Sequence, residues 1–400
     1  MMKPYSFLKI LAIFITLPFI FFSCEADDIN GKKPDGTASY RQTLFMYMPW
    51  SGESIYNYFL KNISSFETAI ENNGGLDGNA LMVFISENSS TSHLIRITYG
   101  KGGCIRDTIQ EYRFNSCDFT TAKGIASIIG DAAKQAPAET YAMAIGSHGM
   151  GWIPAGTEVS TRMSKSKSLH PGVHLTRFFG HWSDNNYQTD IQTLADGIEA
   201  AGIKMEYILF DDCYMSNIET AYDLRNVTDF LIASTCEIMI EGMPYAKIGI
   251  DLLNNDYKSV CEGFYEFYSN FGRPCGTIGV TDCNEVEGMA DIMRQINGQY
   301  PSGVENANDI QDLDGYTPTI FFDFGDYVSH LCQDESLLAM FNEQLARLVP
   351  YKANTEKYYS SLTNKETTIS TFSGLTISDP TRNTSVANDV KKTNWYYATH

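Results

Sequence analysis

Two short apolar runs in this 400-residue chain each end at a side chain able to do chemistry, and 65 positions separate the two ends. In the first, Tyr141, Ala142, Met143, Ala144 and Ile145 lead through Gly146 and Ser147 to His148 and Gly149. In the second, Met205 to Phe210 leads through Asp211 and Asp212 to Cys213. A thiol with its ordinary pKa of about 8.5 is mostly protonated at neutral pH, so a neighbouring imidazole that takes the proton supplies the attacking thiolate. Gly149 has no Cβ, which lets its backbone N–H approach a ligand and, with the N–H of Cys213, form an oxyanion hole. Either block alone also reads as ordinary structure, a turn after a strand or one more buried cysteine. Their pairing argues for an active site built on a Cys–His dyad.

The surrounding elements must bring the two ends together. Residues 42–49 and 79–86 read as buried strands. Between them, residues 55–72 carry Tyr56, Phe59, Leu60, Ile63, Phe66 and Ile70 at mixed three and four spacing, the mark of an amphipathic helix. A hairpin-like stretch follows over 93–113. Residues 116–134 read as the helix feeding the His strand, and residues 190–201, with Thr189 as cap, as the helix feeding the Cys strand. Alternating strands and helices imply a mainly parallel sheet covered on both faces, with sites at the carboxyl ends of its strands, where His148 and Cys213 fall. Beyond lie an apolar strand at 229–238, a long helical region at 246–271 and a further helix at 284–297. A strand ending in acidic residues at 317–327, a helix at 337–348 and short strands returning to the sheet from 352 complete the chain.

The two blocks resemble the clostripain family of cysteine peptidases. Ser147, His148, Gly149, Met150, Gly151 and Trp152 are similar to its S-H-G-x-G-W, and Asp211, Asp212, Cys213, Tyr214 and Met215, with Glu219 further on, to its D-x-C-x-M. The similarity continues in residues 241–245, 322–327 and 374–378, and covers the chain from about Arg41 to near its end. The resemblance implies a caspase-like α/β/α sandwich with a mostly parallel central sheet, here with a C-terminal α+β region. It implies a dyad of His148 and Cys213, with Asp211 in the pocket for the residue before the scissile bond, and preference there for arginine or for arginine and lysine. Asp212 stands where the family usually has a small residue. This second carboxylate could sharpen selection of a cation or raise the Cys213 pKa and slow attack. Cys236 and Met239 stand where relatives are more polar, so the pocket wall is expected to differ. Ser147 and Trp152 are further candidates for contact with substrate, each with an alternative reading as structure, a strand end and a packing residue; Glu219 could orient a nearby loop.

Residues 153–181 lack apolar periodicity and read as an exposed loop. Arg162, Lys165, Lys167 and Arg177 face a single acidic Glu158, a basic island in an acidic protein. If Asp211 selects cations, this loop is a substrate for its own enzyme, with Arg162, Lys165 and Lys167 the candidate autoprocessing sites. His170, His174 and His181 lie in the same loop without a companion Cys or carboxylate pattern, so no metal site is expected. Asp309, Asp312 and Asp314 resemble part of a calcium loop that lacks its closing glutamate, and a turn is expected there. No cofactor is indicated, and calcium dependence stays open.

A net charge of −19 argues against a nucleic-acid partner and favours basic peptide or protein substrates. Lys3 and Lys9 flank the start of an apolar run over 11–22 that is too short for a comfortable span and reads as a signal peptide. Ser23 before Cys24 resembles a lipobox, so cleavage there, lipidation of Cys24 and an exported bacterial lipoprotein at the outer membrane or cell surface are expected, with ordinary signal cleavage downstream as the alternative. The expected organisation is a signal peptide (1–23), a lipidated tether (24–40), a catalytic domain (41–270) and a C-terminal region packed on it (271–400). Apart from Cys24 and Cys213, seven cysteines remain; Cys104 and Cys117 could pair across a hairpin, and mostly buried free thiols are expected. Two functions fit: an exported cysteine endopeptidase cleaving after arginine, with lysine tolerated and with self-processing in the loop, or a catalytically weak surface lipoprotein of the same fold that binds peptides or an exported partner.

Overall fold

The computed structural model describes residues 40–49, 54–114, 118–155, 157 and 188–400. The signal peptide, tether, Cys24, Cys117, the loop sites Arg162, Lys165 and Lys167, and His170, His174 and His181 lie outside the described residues.

In chain order the elements are β1 (Tyr40–Met48), α1 (Ser54–Asn73), β2 (Ala80–Asn88), β3 (Thr91–Gly100), β4 (Gly103–Arg113), α2 (Ala122–Gln135), β5 (Ala138–Gly146), α3 (Ile191–Ala200), β6 (Met205–Asp211), α4 (Ile218–Leu224), β7 (Thr228–Ala233), α5 (Tyr245–Leu253), α6 (Tyr257–Ser269), β8 (Thr277–Asp282) and α7 (Val286–Gln299). They continue with β9 (Phe322–Asp323), α8 (Phe324–Leu331), α9 (Glu335–Leu348), β10 (Tyr351–Asn354), β11 (Lys357–Ser360), β12 (Lys365–Thr368), β13 (Thr376–Ile377), α10 (Ala387–Val390) and α11 (Asn394–Thr399).

Nine strands form one sheet in the order β10-β8-β7-β6-β5-β1-β2-β3-β4. The five central strands, β7 to β2, run parallel, and an antiparallel pair flanks them on each side. Both faces are covered, which is why these strands read as continuous apolar runs. Alternate residues enter opposite cores. Phe45 and Tyr47 of β1 and Ile208 and Phe210 of β6 pack with α2, α3 and α7, whereas Leu44, Met46, Tyr207 and Leu209 pack with α1, α5 and α6. Full burial of each such side chain contributes roughly 1.5–3 kcal/mol, so register is strongly specified.

Several expectations change in detail. Thr121 caps α2 by accepting from the Gly124 N–H, so that helix starts well after residue 116. Asp190, rather than Thr189, occupies the N-cap position of α3, and its Oδ1 accepts instead from the Ala155 N–H at 2.7 Å. The long helical stretch is two helices, broken where Asn255 adopts a left-handed φ of 57°. Residues 317–327 hold only two strand residues, because the Asp323 carboxylate accepts from the Asp326 N–H at 3.0 Å and starts α8. Strand β8 carries no expectation of its own. Of the stretch from 352, expected as short strands returning to the sheet, only β10 does so: β11 pairs with β12 and β13 with β9 in separate two-stranded sheets, and α10 and α11 are helical. Strands β8 and β10 join the central sheet from beyond residue 270. Among the described residues no disulfide links the seven cysteines; Cys104 is half-buried and the other six are buried.

Candidate active site

The register of β5 on β6 pairs Gly146 with Asp211, so the residues that follow leave the carboxyl edge of the sheet side by side. Ser147 donates its backbone N–H to Asp212 Oδ1 at 2.5 Å. Gly149 then lies against the Cys213 backbone. A methyl group on its Cα would sit 2.7 Å from the Cys213 nitrogen and would collide with the Cys213 carbonyl oxygen. Only glycine fits this approach. The structure thus brings His148, which is half-buried, Gly149 and the buried Cys213 to one place.

The chain turns sharply at the cysteine. Tyr214 has φ of 61°, a left-handed conformation that costs a bulky residue about 1–2 kcal/mol and persists only where surroundings enforce it. Those surroundings are specific. The Tyr214 N–H donates to Cys236 O at 3.1 Å, its hydroxyl donates to Glu237 Oε1 at 2.8 Å, and its ring stacks on Phe321 at 5.2 Å. Residues 234–238, expected as the end of a strand, instead leave the sheet and run beside this turn. At its end the Ile238 N–H points at Cys213 Sγ, 3.4 Å away. An N–H aimed at the sulfur favours its charged form.

The two carboxylates before the cysteine are held differently. Asp211 is fully buried; its Oδ1 accepts from the Met243 N–H at 2.8 Å and its Oδ2 from the Tyr245 hydroxyl at 3.2 Å. It therefore ties the end of β6 to the segment expected to form a pocket wall, which carries the buried Cys236 and Met239. Asp212 reaches the opposite way, to the His block.

Trp152 is buried and donates its Nε1–H to Ser378 Oγ at 2.8 Å. Glu219, buried on α4, accepts the Ser378 N–H at 2.9 Å, and burial pushes its carboxyl up to about 8 against the lowering effect of that bond. Burial likewise raises Asp314 to about 7; its carboxylate accepts the N–H groups of Tyr316, Ile320 and Phe321, so it organises a turn. Among the described residues no group of three or more His, Cys, Asp or Glu could hold a metal ion. Sequence reasoning missed Tyr214, Glu237, Ile238, Tyr245 and Ser378 as parts of this site. Tyr245 and Ser378 stood inside family-like blocks, a signal that they belong near the site but not of what they touch.

Residues 46–393 match the model of the clostripain family, peptidase C11. The chain is 47% identical to a secreted C11 cysteine protease of Bacteroides thetaiotaomicron, "iotapain", covering 91% of this chain and 100% of that one with a TM-score of 0.81. It is 57% identical to a clostripain of the same species in complex with the peptide inhibitor BTN-VLTK-AOMK, over 56% of this chain and 99% of that one, TM-score 0.53. An inactive zymogen C11 protease of Parabacteroides distasonis, 23% identical over 91% of this chain and 99% of that one, shares the fold with a TM-score of 0.75. None of the curated proteins compared matches the chain. The motif blocks, the caspase-like sheet that joins them and these matches together establish that the chain belongs to the clostripain family and is a cysteine peptidase.

Proposed function

We propose that this peptidase is exported and hydrolyses peptide bonds after arginine, with lysine accepted, through Cys213 and His148. The observation that supports the reading is the backbone contact of Gly149, the residue after His148, with Cys213. His148 takes the Cys213 thiol proton, and the thiolate attacks the scissile carbonyl carbon. The N–H groups of Gly149 and Cys213 receive the resulting oxyanion. Collapse breaks the C–N bond, His148 returns the proton to the leaving amine, and a water deprotonated by His148 then hydrolyses the thioester.

Asp211 is assigned to the base of the specificity pocket. An ionised carboxylate is the acceptor that pairs with a guanidinium or ammonium through charge-assisted hydrogen bonds. The peptide VLTK in the inhibitor bound by the 57% identical relative ends in lysine, which supports a basic preference. Asp212, Ser147 and Trp152 act on substrate at one remove, by fixing the rim that His148 occupies. Arg162, Lys165 and Lys167 are the proposed self-processing sites. Export rests on the apolar N-terminal run and on a relative described as secreted, and lipidation at Cys24 on the Ser23–Cys24 pair.

Fluorogenic peptides ending in arginine, lysine, an uncharged residue or glutamate test this directly. Turnover of the first two only, lost in Cys213→Ala, is expected. Equal turnover of all four would remove the pocket assignment. No turnover of any, with no labelling of Cys213, would leave a peptide-binding protein of this fold. Mass spectrometry of wild type beside Cys213→Ala tests self-processing, which equal cleavage in both would exclude.

A further inference from the structure

The late segment 374–378 is far from both reactive residues in sequence yet is fastened to the blocks that carry them. Ser216, three residues after Cys213, donates its hydroxyl to Gly374 O at 2.8 Å, and its carbonyl accepts the Thr376 N–H at 3.0 Å and the Thr376 hydroxyl at 3.1 Å. Ser378 closes the strap at both ends: its N–H donates to Glu219 on the helix after Cys213, and its Oγ accepts from Trp152, four residues after His148. One residue therefore bridges the Cys side and the His side of the site.

We propose that Glu219 and Ser378 are positioning residues of the peptidase, holding the His148 and Cys213 loops in mutual register through the strap 374–378. The inference rests on the assignment of His148 and Cys213 as the dyad. Physically, the two loops leave the sheet at adjacent strands, β5 ending at Gly146 and β6 at Asp211, so their relative placement depends on contacts made above the sheet edge. Misplacing reacting groups by about 1 Å costs on the order of a hundredfold in rate. A buried carboxyl is an expensive way to satisfy a single N–H, and Glu219 is buried with its Oε2 lacking a hydrogen-bond partner among the described residues. An apolar residue would fill the space, but it would not hold Ser378.

The groups facing Glu219 do not neutralise it. Asp223 lies on the same helix and disfavours its charge. Tyr327 from α8 donates to Asp379 Oδ2 at 3.2 Å, and Arg382 is 3.5 Å from that same carboxylate, so the nearby cation is directed to Asp379. A glutamine at 219 keeps the acceptor for the Ser378 N–H.

The test compares Glu219→Ala, Glu219→Gln, Ser378→Ala and Trp152→Phe in the full chain. The readouts are kcat and KM on an arginyl peptide, the rate of Cys213 alkylation by iodoacetamide, and the thermal midpoint. Glu219→Ala is expected to lower kcat about tenfold and slow alkylation, with KM within about twofold, while Glu219→Gln restores both. Ser378→Ala and Trp152→Phe are expected to be non-additive when combined, since both break one bond. Wild-type kcat and alkylation in Glu219→Ala, or additive effects of the Ser378 and Trp152 changes, would overturn the proposal. If Glu219→Ala fails to fold, the Ser378 and Trp152 pair decides alone. Turnover retained in Cys213→Ala would instead overturn the dyad, a distinguishable result.

Discussion

Gly149 and Cys213 touch backbone to backbone, with no room for a methyl group between them. This contact follows from register: Gly146 pairs with Asp211, so Gly149 and Cys213 extend side by side from neighbouring parallel strands. A histidine and a cysteine separated by 65 positions become neighbours because one helical crossover, ending in α3, returns the chain to the adjacent strand.

Gly149→Ala should therefore disable the enzyme without unfolding it. The new Cβ would meet rigid backbone, so the His block must withdraw from the cysteine. A loss of about a hundredfold or more in kcat/KM is expected with a folded protein by circular dichroism. Wild-type turnover would contradict the packing.

Asp211 and Asp212 should separate cleanly. Asp212→Ala removes the acceptor for the Ser147 N–H and is expected to reduce kcat about tenfold with little change in KM, and Asp212→Asn, which keeps an acceptor, to recover most of it. Asp211→Ala is expected to act on selection, collapsing the ratio of kcat/KM for arginyl over uncharged peptides.

Tyr214→Phe deletes a hydroxyl that donates to the buried Glu237 while preserving the stack on Phe321. Glu237 keeps donors from Ser360 and Ser361, so the expected cost is about 1 kcal/mol, read as a lower denaturation midpoint at unchanged slope.

Stability should fall as pH rises from about 5 to about 8. Glu219 and Asp314 have folded-state values of about 8 and about 7, above those of unfolded carboxyls, so the folded chain binds more protons in this window. The stability these groups contribute is fully present below the unfolded values and is lost as each ionises in the folded state. Glu219→Gln should flatten its share of the slope in urea titrations across this range.

The sheet was legible because apolar runs at 141–145 and 207–210 lead towards the candidate residues His148 and Cys213, and because α1 repeats its apolar residues at helical spacing. The extent of 317–327 was not, since its apolar residues suit a strand until the Asp323 cap begins a helix. Residues 234–238 follow β7 with no Gly or Pro to mark a break, and only their pairing with the Tyr214 turn takes them out of the sheet. The support of the site was hidden for a different reason. Glu219 and Ser378 are 159 positions apart, and Trp152 and Ser378 are 226 apart. No local periodicity encodes such contacts. Neither does it encode the left-handed Tyr214, which tertiary packing imposes against intrinsic preference.

The most direct measurement is reaction of the purified chain with an arginyl acyloxymethyl ketone, followed by peptide mapping. A single adduct on Cys213, slowed in His148→Ala and in Asp211→Ala and matched by loss of arginyl-peptide turnover, is the predicted result. An unmodified Cys213 in a preparation that still hydrolyses arginyl peptides would contradict it.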